Sequence, residues 1–541
     1  MVPMRDGVRL AATICRPEGP GRVPVVLNRT PYGRSGMQRL WSAIVGHGYG
    51  FVTQDCRGRF DSEGEWVPFV NEPKDGFDTI EWIARQPWSN GSVVMVGGSY
   101  DGMVQWLAAK EHSPHLKGLM TFVTPSDMYE GFMHDGGSFL LGGGASWSVF
   151  VDGHKLNLGA MANSPWDKVF QTLPASEALG VLNRNPQYYR DWIAHPTEDS
   201  YWQAMNWASE IPKFDFPVLH LGGWFDIFQK GTIESFQRMT TRAAPSARGK
   251  QHLVMGPWAH QGQEKSLLGE VDFGAGSTLN LITWLPAYLG ASDGAEKTAP
   301  VHLFTMGENQ WRDYEAWPIP GTRYVDYYLG SAGRANTAGG DGRLETPKPA
   351  KAETSDSFIY DPASPVPTHG GGNCCWPEIV AWGPFDQHQI ETRQDVLVYS
   401  TPPLDEPLRV TGAVVAKLWI ASSAPDTDFT AKLIDVAPDG RAINLTDGVR
   451  RVAYRNSYRK PELLKPGTAA EITIDLWNTS NLFLKGHRIR LEVSSSNFPR
   501  YSRNLNTGNL PETEKEIRKA TQTILHDAGH PSRLVLPVLG K

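Results

Sequence analysis

The stretch "VVMVGGSYDGM" runs from Val93 to Met103. Its four leading apolar residues read as a buried strand, and a helical pattern begins at Tyr100. Between them lies a turn dense in small residues: Gly97, Gly98, Ser99 and Gly102. A sharp strand-to-helix turn of this kind can present a serine hydroxyl at the end of a strand, provided small neighbours let the backbones pass. The second glycine is Gly102, one place later than in Gly-x-Ser-x-Gly. Taken alone, the stretch leaves two readings open, a nucleophile or an ordinary glycine-rich turn.

The flanking sequence sets the fold around this turn. "VPVVLN" (23–28), "GFVTQD" (50–55), "VVMVGG" (93–98) and "LKGLMTFVT" (116–124) read as buried strands. Between them "MQRLWSAIVGHG" (37–48), "EPKDGFDTIEWIARQ" (72–86) and "YDGMVQWLAAKEH" (100–112) read as helices. This alternation implies βαβ units and a mostly parallel sheet. Residues 125–215 hold no convincing strand, many aromatics and helix-like pieces such as "YYRDWIA" (188–194). The strand pattern returns at "FPVLHLGGWFDIF" (216–228) and "KQHLVMGPWAH" (250–260). Beyond a loop-like "GSAGRANTAGGDGR" (330–343), short alternating runs predominate, among them "LRVTGAVVAKLWIASS", "DFTAKLIDVA" and "HRIRLEVSSS". Such runs indicate an antiparallel sandwich or jelly roll. The expected organisation is a discontinuous α/β unit (1–124 and 216–315), a helical cap (125–215) and a β jelly roll (316–541).

Composition narrows the function classes. The chain has 541 residues, 40% hydrophobic and 20% charged, as expected of a packed protein of about two to four domains. A net charge of −6 gives no basic footprint for nucleic acid. No apolar run approaches the roughly 20 residues that span a bilayer, so no membrane partner is expected. "MVPMRDGVRLAATICRP" lacks a signal-peptide pattern, which leaves two expectations, a cytoplasmic protein or a leader that lies outside this numbering. The four cysteines, Cys15, Cys56, Cys374 and Cys375, do not suggest a disulfide scaffold. Cys374–Cys375 reads as a turn with two reduced thiols, with a vicinal disulfide as the alternative. No cysteine pair has zinc-ligand spacing, and no cofactor is expected. A homo-oligomer is left open.

A serine hydroxyl attacks only when a base takes its proton, an acid orients that base, and donors await the oxyanion. In a sheet of this kind the acid and then the histidine should follow later strands. Asp226 follows "PVLHLGGWF" and His260 follows "HLVMGPWA". Both sit beyond strand C-termini, where open α/β sheets place ligands. Other histidines have plainer placements: His47, His112 and His115 at helix ends, His220 and His252 in or beside strands. Asp55 and Asp61 precede Ser99 in a turn-rich loop and read as structural. One oxyanion donor would be the Tyr100 amide. The loop "NRTPYGRSG" offers the Tyr32 phenol as a second, although packing explains Tyr32 equally well.

The motifs "RTPYGR", "DCRGRFDSEG", "GGSYDG", "GGWFDIF" and "GPWAH", in this order, resemble the cocaine esterase and Xaa-Pro dipeptidyl-peptidase (CocE/NonD) group of serine hydrolases. The elbow of that group is Gly-x-Ser-Tyr-x-Gly, matched here by Gly97, Ser99, Tyr100 and Gly102. The resemblance spans nearly the whole chain and implies an α/β-hydrolase domain with a helical cap and a C-terminal jelly roll. It implies Ser99 as nucleophile, His260 as base, Asp226 as its orienter, and the Tyr32 hydroxyl with the Tyr100 amide as oxyanion hole. In the cocaine esterase branch a cap tryptophan and a phenylalanine wall the acyl pocket, which corresponds here to Trp147 and Phe228. Trp258 is a further pocket candidate by position. The expected substrate is a small-molecule carboxylic ester. An amide-directed acylase, an α-amino acid ester hydrolase or an Xaa-Pro dipeptidyl-peptidase is the alternative. The α-amino acid ester hydrolases of this group bind the substrate ammonium with a carboxylate cluster; the sequence locates none here, and the cap carboxylates Glu130, Asp135 and Asp199 read as solvated.

Overall fold

A computed structural model describes residues 1–281 and 299–540. Residues 282–298, part of the stretch assigned to the α/β unit, lie outside the described residues. The buried apolar runs form the centre of a nine-stranded sheet. In chain order its strands are β1 (Ala12–Cys15), β2 (Val23–Thr30), β3 (Gly50–Asp55), β4 (Ser89–Gly98) and β5 (Leu116–Phe122). They continue as β6 (Val218–Gly223), β7 (Gln251–Gly256), β8 (Val301–Thr305) and β9 (Gln310–Tyr314). The spatial order is β9-β8-β7-β6-β5-β4-β2-β3-β1. All pairings from β3 to β8 are parallel; only the edge strands β1 and β9 run antiparallel. Every residue of β3 and β6 is buried, because helices cover both faces of a parallel sheet. The expected helices form as α1 (Gln38–Gly46), α2 (Glu72–Ala84) and α3 (Tyr100–Ala109).

Residues 125–215 contain α4 (Leu141–Val151), α5 (Leu158–Asn163), α6 (Trp166–Gln171), α7 (Gln187–Ala194) and α8 (Ser200–Met205). One departure from the sequence reading is a small hairpin, His134–Asp135 against Ser138–Phe139. Strands of two residues are too short to show alternation; Gly136 and Gly137 turn the chain between them with positive φ. After β6, α9 (Gln229–Arg242) returns the chain to β7.

The C-terminal unit is built on an eleven-stranded sheet. Its strand Leu408–Ser422 alternates buried and half-buried residues along most of its length and pairs antiparallel with Ala470–Phe483. That period of two turns one face to a core. This jelly-roll domain grips both other parts. Met306, just past β8, forms a bridge with Asn481, and the Gly142 amide at the start of α4 donates to Pro499 O at 2.8 Å. A strap at 370–383 leaves the jelly roll, closed by paired backbone bonds between Gly371 and Gly383 of 2.8 and 2.9 Å. Its Asn373 forms a parallel bridge with Asp226, so the strap lies directly on the α/β unit. In it, Cys374 and Cys375 are joined as a disulfide. This replaces the reading of two reduced thiols; cysteine spacing alone says nothing about what the fold does to two adjacent sulfurs.

Candidate active site

Ser99 stands between β4 and α3 with φ 59° and ψ −125°. A non-glycine residue there is strained by about 1–3 kcal/mol and needs its surroundings to hold it. Its amide donates to Phe122 O at 2.9 Å, and its carbonyl receives the amides of Gly102 and Met103, each at 2.9 Å. The glycine pattern follows from space. A β-carbon on Gly102 would meet Thr124 Cγ2 at 2.1 Å, and one on Gly97 would meet Asp101 Cβ at 2.5 Å. Gly102, one place late against the common motif, is therefore where α3 crosses the end of β5.

Asp226 and His260 follow β6 and β7. The two loops are tied by Trp224 N to Gly256 O and Phe225 N to Trp258 O, both 2.9 Å. This brings His260 Nδ1 to 2.6 Å from Asp226 Oδ1, with both residues buried. A carboxylate accepts only, so in the neutral ring Nδ1 is the protonated nitrogen and Nε2 the one with the lone pair.

Tyr32 follows β2. Its hydroxyl receives the Trp147 indole N–H at 2.9 Å, and Tyr32 lines the same cavity as Ser99. Indole is a donor only, so the phenolic proton stays free to point at Ser99. Burial first, and the Asp101 charge second, push the Tyr32 pKa up, which keeps that proton in place. Tyr100 is the first residue of α3, where an amide has no intrahelical acceptor. Its side chain is moored behind the site. The hydroxyl donates to Glu72 Oε1 at 2.9 Å and accepts from Trp66 Nε1 at 3.2 Å and Phe69 N at 3.1 Å. Glu72 is paired in turn with buried Arg29 at 2.7 Å. Asp101 is buried against Asn28 and Thr30, and its pKa rises to about 7, chiefly through desolvation.

An apolar cavity opens beside Ser99 and Tyr32, walled by Phe132, Met133, Leu140, Trp147, Ile227 and Phe228. Phe228 also sets its ring edge-on to His260, with centroids 5.4 Å apart. Trp147 and Phe228 thus stand where the resemblance places them. Trp258 does not line this cavity: it is buried under Gly256, its indole donates to Ser277 O at 2.8 Å, and its ring meets Trp311. The residue two before His260 points away from the site because the β7 loop needs an anchor on that side. The cap carboxylates are elsewhere too. Glu130 pairs with Lys230 at 3.1 Å. Asp135 accepts from Tyr501 Oη at 2.7 Å. Asp199 accepts from the Tyr201 amide of α8 and pairs with His195 at 2.6 Å. Among the described residues, no charged side chain lines the cavity.

Sequence reasoning missed the residues that hold the donors. Asp55 is structural, as read, yet it fixes the Tyr32 loop by accepting from Arg34 N at 2.7 Å and pairing with the Arg34 guanidinium. Arg59 is buried, donating to Pro31 O beside Tyr32 and to Val151 O and Gly153 O at the end of α4. The "DCRGRFDSEG" motif carried this information, but only as an unexplained density of charge in a loop.

A serine on a strained elbow, a buried Asp–His pair on later strands and two donors beside the serine define a serine hydrolase of the α/β-hydrolase fold. Residues 6–262 match the family described as X-Pro dipeptidyl-peptidase (S15 family), and residues 293–535 match the X-Pro dipeptidyl-peptidase C-terminal non-catalytic domain. The chain is 38% identical to the cocaine esterase of Rhodococcus sp. (strain MB1 Bresler), covering 100% of this chain and 98% of that protein. Two solved structures share the whole architecture. One is an α-amino acid ester hydrolase at 27% identity and TM-score 0.87, covering 99% of this chain and 95% of that one. The other is an aminopeptidase of a marine sediment Thaumarchaeota archaeon at 28% identity and TM-score 0.86, covering 100% and 95%. The chain belongs to the cocaine esterase and Xaa-Pro dipeptidyl-peptidase (CocE/NonD) family and is a serine hydrolase of carboxylic esters. Among the described residues no helix is long and apolar enough to cross a membrane.

Proposed function

We propose that the enzyme hydrolyses esters whose acyl part is uncharged and apolar, through a Ser99–His260–Asp226 triad and a covalent acyl-enzyme. The observation that carries this reading is the cavity beside Ser99, walled by aromatic and aliphatic side chains and free of charged ones among the described residues. A free amino terminus or an α-ammonium group would enter that cavity with no carboxylate to receive it, and an unpaired buried charge is costly. This favours an ester over the aminopeptidase and amino-acid ester reactions named for the structural relatives.

His260 Nε2 takes the Ser99 proton while Asp226 holds the Nδ1–H and stabilises the imidazolium. Ser99 Oγ attacks the acyl carbon, and its oxyanion is met by the Tyr32 hydroxyl and the Tyr100 amide. His260 then protonates the leaving alcohol, and water, activated by the same imidazole, frees the acid. Trp147 acts twice: its ring walls the acyl group, and its N–H turns the Tyr32 proton toward Ser99. Cytoplasmic residence belongs to the same reading, and fractionation of producing cells tests it.

The experiment is a matched panel of an aryl ester, the corresponding anilide and an Xaa-Pro anilide, run with wild type and Ser99→Ala. We expect ester turnover that vanishes in the variant, with slow anilides. Turnover of either amide as fast as of the ester overturns the ester reading; turnover retained in Ser99→Ala overturns the nucleophile.

A further inference from the structure

The strap does more than close the site. Its docking on Asp226 brings Cys374 and Cys375 to His260: one ligand atom from each of the three lies within 4.8 Å of the others. His260 Nδ1 is committed to Asp226 at 2.6 Å, which leaves Nε2 for any further partner. A carboxylate on one ring nitrogen is also the arrangement that fixes a histidine as a metal ligand through the other. Two cysteine sulfurs and an imidazole form a soft donor set suited to Zn²⁺ or Cd²⁺, with a fourth position left to water. In the structure the sulfurs are bonded to each other, and only thiolates ligate such ions. Cys375 is partly exposed, so a small reductant can reach the pair. The Gly371–Gly383 backbone bonds and the Asn373–Asp226 bridge do not involve the sulfurs, so reduction need not break them.

We propose that reduction of the Cys374–Cys375 disulfide creates a Cys₂His site with His260 for a thiophilic divalent cation. Its occupancy would silence the esterase by taking the imidazole lone pair. The chemistry balances with a dithiol as reductant. The dithiol loses two electrons and becomes its own disulfide, and the protein gains two thiols. Metal binding then displaces both thiol protons to solvent, with no change in the oxidation state of the metal. The effect on turnover rests on His260 being the base; the binding site itself does not.

The test uses the full-length protein in two states, oxidised and dithiol-reduced with the reductant then removed. Thiol titration should rise from the two free cysteines Cys15 and Cys56 to all four. Cd²⁺ titration should then show a single equivalent with cadmium–thiolate charge-transfer absorption in reduced protein alone. Zn²⁺ should displace it and lower aryl-ester turnover by about 10²-fold, the scale of losing a general base, reversibly with a chelator. Cys374→Ser/Cys375→Ser should show neither absorption nor inhibition. If that variant fails to fold, the oxidised and reduced wild-type pair carries the comparison, since both contain Cys15 and Cys56. The proposal is overturned if no further thiols appear, if reduced protein binds no more Cd²⁺ than oxidised, or if the double variant keeps the absorption. Binding without inhibition supports the site and instead overturns His260 as base.

Discussion

At the scale of single residues, the site depends on a proton kept where it is needed. Burial keeps Tyr32 protonated, and Trp147 donates to its oxygen, so on the proposed mechanism its loss removes one oxyanion donor and also leaves the buried Trp147 N–H without its acceptor. We expect Tyr32→Phe to lower kcat by about 10²–10³, and the unpaired Trp147 N–H to cost about 1–3 kcal/mol of stability; steady-state kinetics and denaturant unfolding check both. Asp101 makes a different prediction. Burial raises its folded pKa from 3.8 to about 7, so the folded state holds that proton more tightly than the unfolded chain. The stabilisation is complete below the unfolded pKa and is lost as pH rises through about 7. Between about pH 5 and pH 8 wild type should lose roughly 1–3 kcal/mol from this group. Asp101→Asn should remove that slope, as chemical denaturation across the range would show. The glycines were legible as a motif, but the reason for Gly102 was not: Thr124, its near neighbour, comes from the end of another strand.

At the scale of elements, four strand ends carry the proposed chemistry. Tyr32, Ser99, Asp226 and His260 follow β2, β4, β6 and β7, and those strands share one parallel sheet with β5 at its centre. Chain order and strand-end position single out Asp226 and His260, and the structure brings the two within hydrogen-bond distance, because a parallel sheet delivers all its C-terminal ends to one edge. Position could not tell Phe228 from Trp258. Each lies two residues from a triad candidate, and only loop direction sends one ring into the cavity and the other into the core. Arg59 is the link between elements, joining the Tyr32 loop to the end of α4 that carries Trp147. We expect Arg59→Met to lower kcat for the aryl ester about 10- to 100-fold, since small misplacements of this order carry such costs. KM should rise less, and Ser99 should still be labelled by a fluorophosphonate. Unchanged kcat would show that the two elements hold position without it.

At the scale of the molecule, the three parts are joined by charges as well as by backbone. Lys230 on α9 pairs with Glu130 of the cap at 3.1 Å and with Asp475 of the jelly roll at 3.0 Å. Removing it strands two partly buried carboxylates at the junction. We expect Lys230→Met to destabilise the protein by about 2–4 kcal/mol, and Glu130→Gln in that background to recover part of the loss, as read by denaturant unfolding. The jelly roll also reaches the reaction site, since the 370–383 strap touches Asp226 and places Cys374 in the cavity wall. The sequence showed strands there and two adjacent cysteines, with nothing to say that they would meet a histidine more than a hundred residues earlier in the chain.

By itself the sequence determined the local structure and its order: buried strands from apolar runs, helices from their periodicity, the elbow from its glycines, and the triad candidates from their strand ends. These are local or chain-order properties, and periodicity and turn chemistry encode them directly. Only the tertiary structure decided what lines the cavity, that Glu130, Asp135 and Asp199 are spent on internal contacts, that Glu72 and Arg29 moor Tyr100, and that the two sulfurs stand beside His260. Those facts depend on side-chain direction and on contacts between distant segments. Packing sets them, and no pattern along the chain records it.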